Sequence, residues 1–157
     1  GGIAIGLGRG DQLTPVLARG SYNWVLAMAP QGLSTQAVYQ ECDRLRTGLE
    51  IARPQVGDQI LHALRAGDAD LLGRSLSNDL QAAACSLRPA LRLVLDVGLD
   101  YGALGAIVSG SGPTVAFLVA DEERALDLTV ALSASGVVAG VLRTTGPTHG
   151  ARVIETL

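Results

Sequence analysis

The sequence predicts an α+β sandwich, a single antiparallel sheet backed by helices, on three observations. From residue 21 the apolar pattern reads as strand, several helices, strand, strand, helix, strand. Two strand-like runs near residue 110 are separated only by a short Gly-rich turn, which forces an antiparallel pair. Hydrophobic residues make up 48% of the 157 positions and aromatics only 3%, with 20 glycines, so the core is aliphatic and the turns are tight.

Residues 1–7 alternate weakly and predict a short strand, followed by a Gly8-Arg9-Gly10-Asp11 turn. No helical partner follows within residues 1–17. Tyr22–Ala29 is a continuous apolar run between Gly20 and Pro30, as a buried strand requires. Val38, Cys42, Leu45 and Leu49 then recur at helical spacing, and the hydroxyl of either Ser34 or Thr35 can cap that helix. Ile60, Leu61 and Leu64 form one face of a helix over about 57–66. Gly67 breaks it, and Asp68 starts a short helix through Leu76. Asn78 and Asp79 read as structural caps before the Ala-rich helix that begins at Leu80. Pro89, which has no N–H to satisfy, suits a restart that carries Leu91, Val94 and Leu95 to Gly98.

The last third is more regular. Ala103–Ser109 and Thr114–Ala120 are strand-like around the turn Gly110–Pro113. Asp121-Glu122-Glu123 opens a helix through Ser135, with acidic residues where the helix dipole favours them. Gly136 ends it, Val137–Thr145 alternates as a strand, and Arg152–Glu155 suggests an edge strand. From residue 21 the order βαββαβ is that of a ferredoxin-like sandwich with extra helices.

Composition narrows the function classes. Twelve basic and fifteen acidic residues are scattered for a net charge of −3, without the basic stripe and stacking aromatics of a nucleic-acid binder. No apolar run is long enough to cross a bilayer, and no apolar h-region follows Arg9 or Arg19. Cys42 and Cys85 are far apart in apolar helical context and read as buried thiols of a reducing compartment. These features lead to the expectation of a soluble cytoplasmic protein with neither a nucleic-acid nor a membrane partner. The chain begins Gly1-Gly2-Ile3 and its one methionine is Met28, so residue 1 is expected to be an internal position of a longer protein.

Ser109-Gly110-Ser111-Gly112-Pro113-Thr114 is the segment richest in chemistry. Two glycines between strands let backbone N–H groups converge on an anion, with hydroxyls from Ser109, Ser111 and Thr114 as further donors. The same residues also suit an ordinary hairpin turn. Gly6-x-Gly8 is not a dinucleotide fingerprint, because Leu13-Thr14-Pro15 stands where a helix should begin. Ser109–Gly112 is not a nucleophile elbow, since position 109 is not Gly. His62 and His149 are the only histidines, and no metal site of protein ligands is expected.

The Val108–Thr114 run, with Ala-Ile-Val before it and Val-Ala-Phe after it, resembles the third signature loop of the GHMP small-molecule kinases. Gly8–Pro15, Gly32-Leu33-Ser34-Thr35 with Tyr39, Ser77-Asn78-Asp79-Leu80 and Gly146–Ala151 also resemble segments of that family, in the same order. The likeness is strongest to members whose alcohol substrate carries a cytidine diphosphate group.

The resemblance implies ATP and Mg²⁺ as cofactors. It implies transfer of the γ-phosphoryl to the 2-hydroxyl of an erythritol unit in non-mevalonate isoprenoid precursor biosynthesis. It assigns residues 21–157 to the C-terminal domain of such a kinase and residues 1–20 to a remnant of its N-terminal domain. Tyr39 matches an aromatic that stacks on the cytosine, or else is a half-buried helix aromatic. Ser34 and Thr35 line the same pocket or serve as simple caps. Ser109, Gly110, Ser111 and Gly112 lie beside the transferred phosphoryl.

The departures are as informative. The family's long Gly- and Ser-rich phosphate loop, its catalytic Asp and its Lys find no match here, and all twelve basic residues are Arg. No catalytic residue is therefore expected in this chain, which is expected to be inactive without the missing N-terminal domain. Gln36 stands where relatives often carry Pro, a change that loosens the substrate-side loop. The alternatives are another GHMP kinase, or a free-standing ferredoxin-like ligand-binding module.

Overall fold

The computed structural model describes residues 1–151 and Val153. Its centre is β3 (Tyr22–Met28), which pairs on one side with β5 (Val115–Val119) and on the other with β6 (Gly140–Gly146). β4 (Gly105–Val108) pairs with β5, so the sheet order is β4-β5-β3-β6 and every neighbour is antiparallel. This is the expected ferredoxin-like order. A separate two-stranded sheet, β1 (Ala4–Leu7) and β2 (Gln12–Pro15), flanks it, joined by the expected turn at residues 8–11. β2 is not evident in the sequence because all its residues are exposed and no apolar alternation marks it.

Among the described residues six helices follow from local chemistry. α1 (Thr35–Leu45) is capped by Ser34, and α2 (Asp58–Ala66) ends at Gly67 in the left-handed region, at φ 72°. α3 (Ala69–Arg74) is capped by Asp68, whose carboxylate accepts from the Leu71 N–H at 2.9 Å. α4 (Gln81–Leu87) and α5 (Ala90–Asp100) meet at Pro89, where a restart was expected. α6 (Glu122–Ser135) is capped by Asp121 and ends at Gly136.

Several boundaries move. Leu49 does not extend the α1 stripe: the helix ends at Leu45, Gly48 adopts φ 78°, and Leu49 is exposed. α3 stops at Arg74, where the Ser75 hydroxyl donates to the Leu71 carbonyl. Val137 and Val138 pack against the core as a connection, and β6 begins only at Gly140. Of the edge strand expected at Arg152–Glu155 only Val153 is among the described residues, and it lies in no strand; the rest falls outside them.

Alternation along the strands explains the layering. Val25, Ala27, Val115, Phe117 and Val119 face a core shared with Val38, Cys42, Leu91, Val94, Leu128 and Leu132 of α1, α5 and α6. Tyr22, Trp24 and Leu118 point the other way and meet Ala63, Leu64 and Leu72 of α2 and α3. α2 and α3 therefore cover the opposite face, while α1 and α4 share the first with α5 and α6. All five residues of β5 are buried, hence its continuous apolar run.

Two glycine contacts set the spacing between helices and sheet. Gly73 of α3 and Gly105 of β4 pack backbone against backbone, with no room for a Cβ on either. The Phe117 ring lies against the α5 backbone at Gly98, where a Cβ would overlap it. Gly98→Ala gains about 1 kcal/mol of helix propensity but forces a fully buried ring out of its place, which costs about 3 kcal/mol. The expected outcome is a net loss of roughly 2 kcal/mol of unfolding free energy, measured by urea denaturation.

Candidate functional site

The β4–β5 hairpin carries the loop singled out in the sequence. The Ser109 N–H donates to the Thr114 carbonyl at 2.8 Å and the Gly112 N–H to the Ser109 carbonyl at 2.9 Å, closing the turn. Gly110 and Gly112 adopt φ 56° and φ 80°, the left-handed region that favours glycine. Gly112 also packs closely, since a Cβ there would lie 3.0 Å from Val108 Cγ1. Ser109 and Gly110 are exposed, and Ser111 and Gly112 are half-buried. Among the described residues, the N–H groups of Gly110 and Ser111 donate to no protein group. Two such donors beside a left-handed glycine leave backbone N–H groups of the kind that can bind an anion.

The second expected group sits on α1. Ser34 is the N-cap, its Oγ accepting from the Ala37 N–H at 3.3 Å. Thr35 is thereby free of capping, and its Oγ1 lies 2.9 Å from Ser111 Oγ in a hydroxyl–hydroxyl hydrogen bond. The structure thus brings the start of α1 and the Gly-rich loop together across 76 residues of sequence. Tyr39 follows Thr35 by one helical turn on the same face, and the residue is 55% exposed. An aromatic this open is available for stacking and contributes little to the core. Gln36 is exposed on the first turn of α1.

α4 supports both groups. The Asn78 amide nitrogen donates to the carbonyls of Val108 at 2.7 Å and Gly110 at 2.8 Å, while its Oδ1 accepts from the Leu80 N–H at 3.0 Å. Gln81 Oε1 accepts from the Val108 N–H at 2.9 Å. Asp79 reaches the other way, with its carboxylate 3.4 Å from the Arg46 guanidinium. Arg88, just beyond α4, donates to the carbonyls of Gln31 and Gly32 and holds the turn that leads into α1. In the sequence Asn78 and Asp79 read as caps, and nothing local marks Arg88 as a site support. For Gln81, a polar residue on an otherwise Ala-rich helix face is the one available signal.

Electrostatics bind α1 to α4 as well. Glu41 accepts two hydrogen bonds from Arg44, at 2.6 and 2.7 Å, and one from the Ser86 hydroxyl at 2.6 Å. Arg44 first and Ser86 second hold its carboxyl at about 2, far below the ordinary 4.5. A groove of about 780 Å³ beside α6, lined in part by Tyr101, Leu104, Arg124 and Val130, includes none of the loop or α1 residues. Among the described residues no group of three or more His, Cys, Asp or Glu could hold a metal ion. No helix among them is long and apolar enough to cross a membrane.

The family profile described as GHMP kinases C terminal matches residues 60–138, half of the chain, including α4 and the whole Gly-rich loop. The chain belongs to the GHMP kinases. Among relatives of this GHMP kinase chain, the 4-diphosphocytidyl-2-C-methyl-D-erythritol kinase of Leifsonia xyli subsp. xyli is 56% identical over 99% of this chain and 52% of its own length. The protein of the same name from Mycobacterium tuberculosis strain H37Rv is 50% identical over 99% of this chain and 49% of its own length. The chain spans about half the length of the curated relatives it matches.

A crystal structure of 4-(cytidine 5'-diphospho)-2C-methyl-D-erythritol kinase superposes with a TM-score of 0.70 at 25% identity, covering 88% of this chain and 47% of that one. Mevalonate kinase of L. major gives a TM-score of 0.68 at 20% identity, over 85% of this chain and 45% of its own, and so shares the GHMP fold.

The Glu41 cluster makes stability depend on acidity. Because folding lowers the carboxyl from 4.5 to about 2, its stabilising contribution is complete above pH 4.5 and is lost as pH falls toward 2. Urea unfolding followed from pH 6 to 2 is expected to show this loss, and Glu41→Gln is expected to flatten that part of the curve.

Proposed function

We propose that this chain is the C-terminal part of an ATP-dependent kinase acting on the 2-hydroxyl of 4-diphosphocytidyl-2-C-methyl-D-erythritol, a cytoplasmic step of isoprenoid precursor biosynthesis. The observation that carries the proposal is the hydrogen bond between Thr35 and Ser111, which joins the start of α1 to the anion-binding loop. Relatives bearing that enzyme's name at 50–56% identity over 99% of the chain support the choice of substrate. Residues 21–157 are read as the C-terminal domain. Residues 1–20, whose β1–β2 sheet is separate from the main one, are read as the edge of the N-terminal domain.

The roles follow from chemistry at each position. Tyr39 offers its exposed ring to the cytosine. Ser34 sets the direction of α1, and the Thr35 hydroxyl exchanges its bond with Ser111 for one to the substrate's phosphate-bearing portion. The open N–H groups of Gly110 and Ser111 fit a phosphoryl oxygen, with the Ser109 and Ser111 hydroxyls at the rim and Gly112 letting the backbone approach closely. When bound, ATP supplies the phosphoryl group and Mg²⁺, carried on its phosphates, offsets their charge.

Fixed dipoles at this loop hold charge that develops during transfer without reorganising, the main protein contribution to phosphoryl transfer. The proton acceptor for the substrate hydroxyl is assigned to the other half of the kinase. The buried free thiols Cys42 and Cys85 agree with a reducing cytoplasmic setting.

Calorimetric titration of the chain with CDP tests the substrate side. CDP is expected to bind more tightly than UDP, and Tyr39→Ala is expected to lower its affinity by roughly tenfold or more. Equal affinity for the two nucleotides would instead point to a different GHMP kinase. The chain alone, given ATP, Mg²⁺ and the diphosphocytidyl alcohol, is expected to form no product. Turnover at an ordinary kinase rate of about 1–100 per second would overturn the assignment of the catalytic residues to the other half.

A further inference from the structure

The phosphate-side loop is held from behind by a single side chain. In a trans peptide the C=O and N–H point in opposite directions, so whatever fixes one aims the other. The Gly110–Ser111 peptide is trans, and its carbonyl accepts from Asn78 at 2.8 Å, which turns the Ser111 N–H away from α4. The preceding peptide is set the same way, because the Ser109 carbonyl accepts from the Gly112 N–H and the Gly110 N–H faces away from it. Asn78 also binds the Val108 carbonyl at 2.7 Å, and Gln81 takes the Val108 N–H at 2.9 Å, so the strand end leading into the loop is held on both sides.

Glycine at 110 makes this support necessary. Without a Cβ the backbone there reaches left- and right-handed conformations at similar cost, and the 110–111 peptide can rotate about its ends. Asn78 is half-buried and its three hydrogen bonds leave little freedom, whereas Gly110 is exposed and has no packing to hold it. Asp79, next in sequence, is tied to Arg46 at the C-terminal end of α1, so adjacent residues brace the substrate-side helix and the phosphate-side loop.

We propose that Asn78 is a positioning residue: its amide nitrogen fixes the Gly110–Ser111 peptide so that the Ser111 N–H is presented to a phosphate oxygen. The proposal rests on the phosphate-side reading of the loop given above. Gln81 assists by anchoring the strand end.

Asn78→Asp tests it most directly. The carboxylate keeps an acceptor for the Leu80 N–H, and so keeps the start of α4, but places an oxygen against two carbonyls in place of their donor. Asn78→Ser is the second variant, since its hydroxyl can still accept from the Leu80 N–H but is too short to span both carbonyls. Three quantities are measured on the 157-residue chain: the Gly110 and Ser111 amide resonances without ligand, the affinity for inorganic pyrophosphate, and the affinity for cytidine, which carries no phosphate.

Both variants are expected to shift or broaden the Ser111 amide resonance and to weaken pyrophosphate by about tenfold, the effect of one misdirected charge-assisted hydrogen bond. Cytidine affinity is expected to stay within about twofold, well inside the error of a single weak contact. If the Ser111 resonance is unchanged in both folded variants, or if cytidine and pyrophosphate weaken together, the positioning role is wrong. If the unaltered chain binds no pyrophosphate while the variants still displace the Ser111 resonance, the positioning stands and the phosphate-side reading of the loop falls.

Discussion

The contact between Phe117 and the backbone of Gly98 sets the rest of the structure. Phe117 is the chain's one phenylalanine, it is fully buried, and it stands at the middle of β5, buried on both faces. Its ring occupies the space a side chain on α5 would take, so α5 approaches the sheet more closely than an ordinary helix. α4 is joined to α5 through Pro89 and packs its buried Ala83, Ala84 and Cys85 into the same core. The start of α4 then falls beside the β4–β5 hairpin, where Asn78 and Gln81 reach the strand end.

From that arrangement the candidate site is built by two opposed attachments. The turn that leads into α4 holds the Gly-rich loop through Asn78 and the C-cap of α1 through Asp79 with Arg46, and α4 itself holds α1 through Ser86 with Glu41. Thr35 and Ser111 close the ring between the two supported elements. The site is open where it faces solvent, since Tyr39 and Gly110 are exposed, and Asn78 and Gln81 behind the loop are half-buried. Such preorganisation suits a reaction in which the protein mainly positions charge.

Much of the fold was legible because its signals are local. The caps at Asp68 and Asp121, the stops at Gly67 and Gly136, and the restart at Pro89 each depend on a few adjacent residues. The apolar runs of β3 and β5 are strong because neither is an edge strand. β2 gave no signal, since its four exposed residues are defined by pairing with β1 and not by burial. Leu49 misled because helical spacing continues past the point where Gly48 turns the chain.

The chain's own residues determined the order of elements, the Gly-rich hairpin and the polar character of the candidate site. These follow from hydrophobic period, turn chemistry and the scarcity of aromatics, all properties of neighbouring positions. Which hydroxyl caps α1 and which meets Ser111 was decided only when the β4–β5 hairpin came to rest against the start of that helix. The same holds for Asn78, which reads as a cap in sequence and becomes a brace across 32 residues once α4 packs beside β4. A hydrogen bond between distant segments depends on the depth and angle at which helices pack on a sheet, and no local pattern encodes either one.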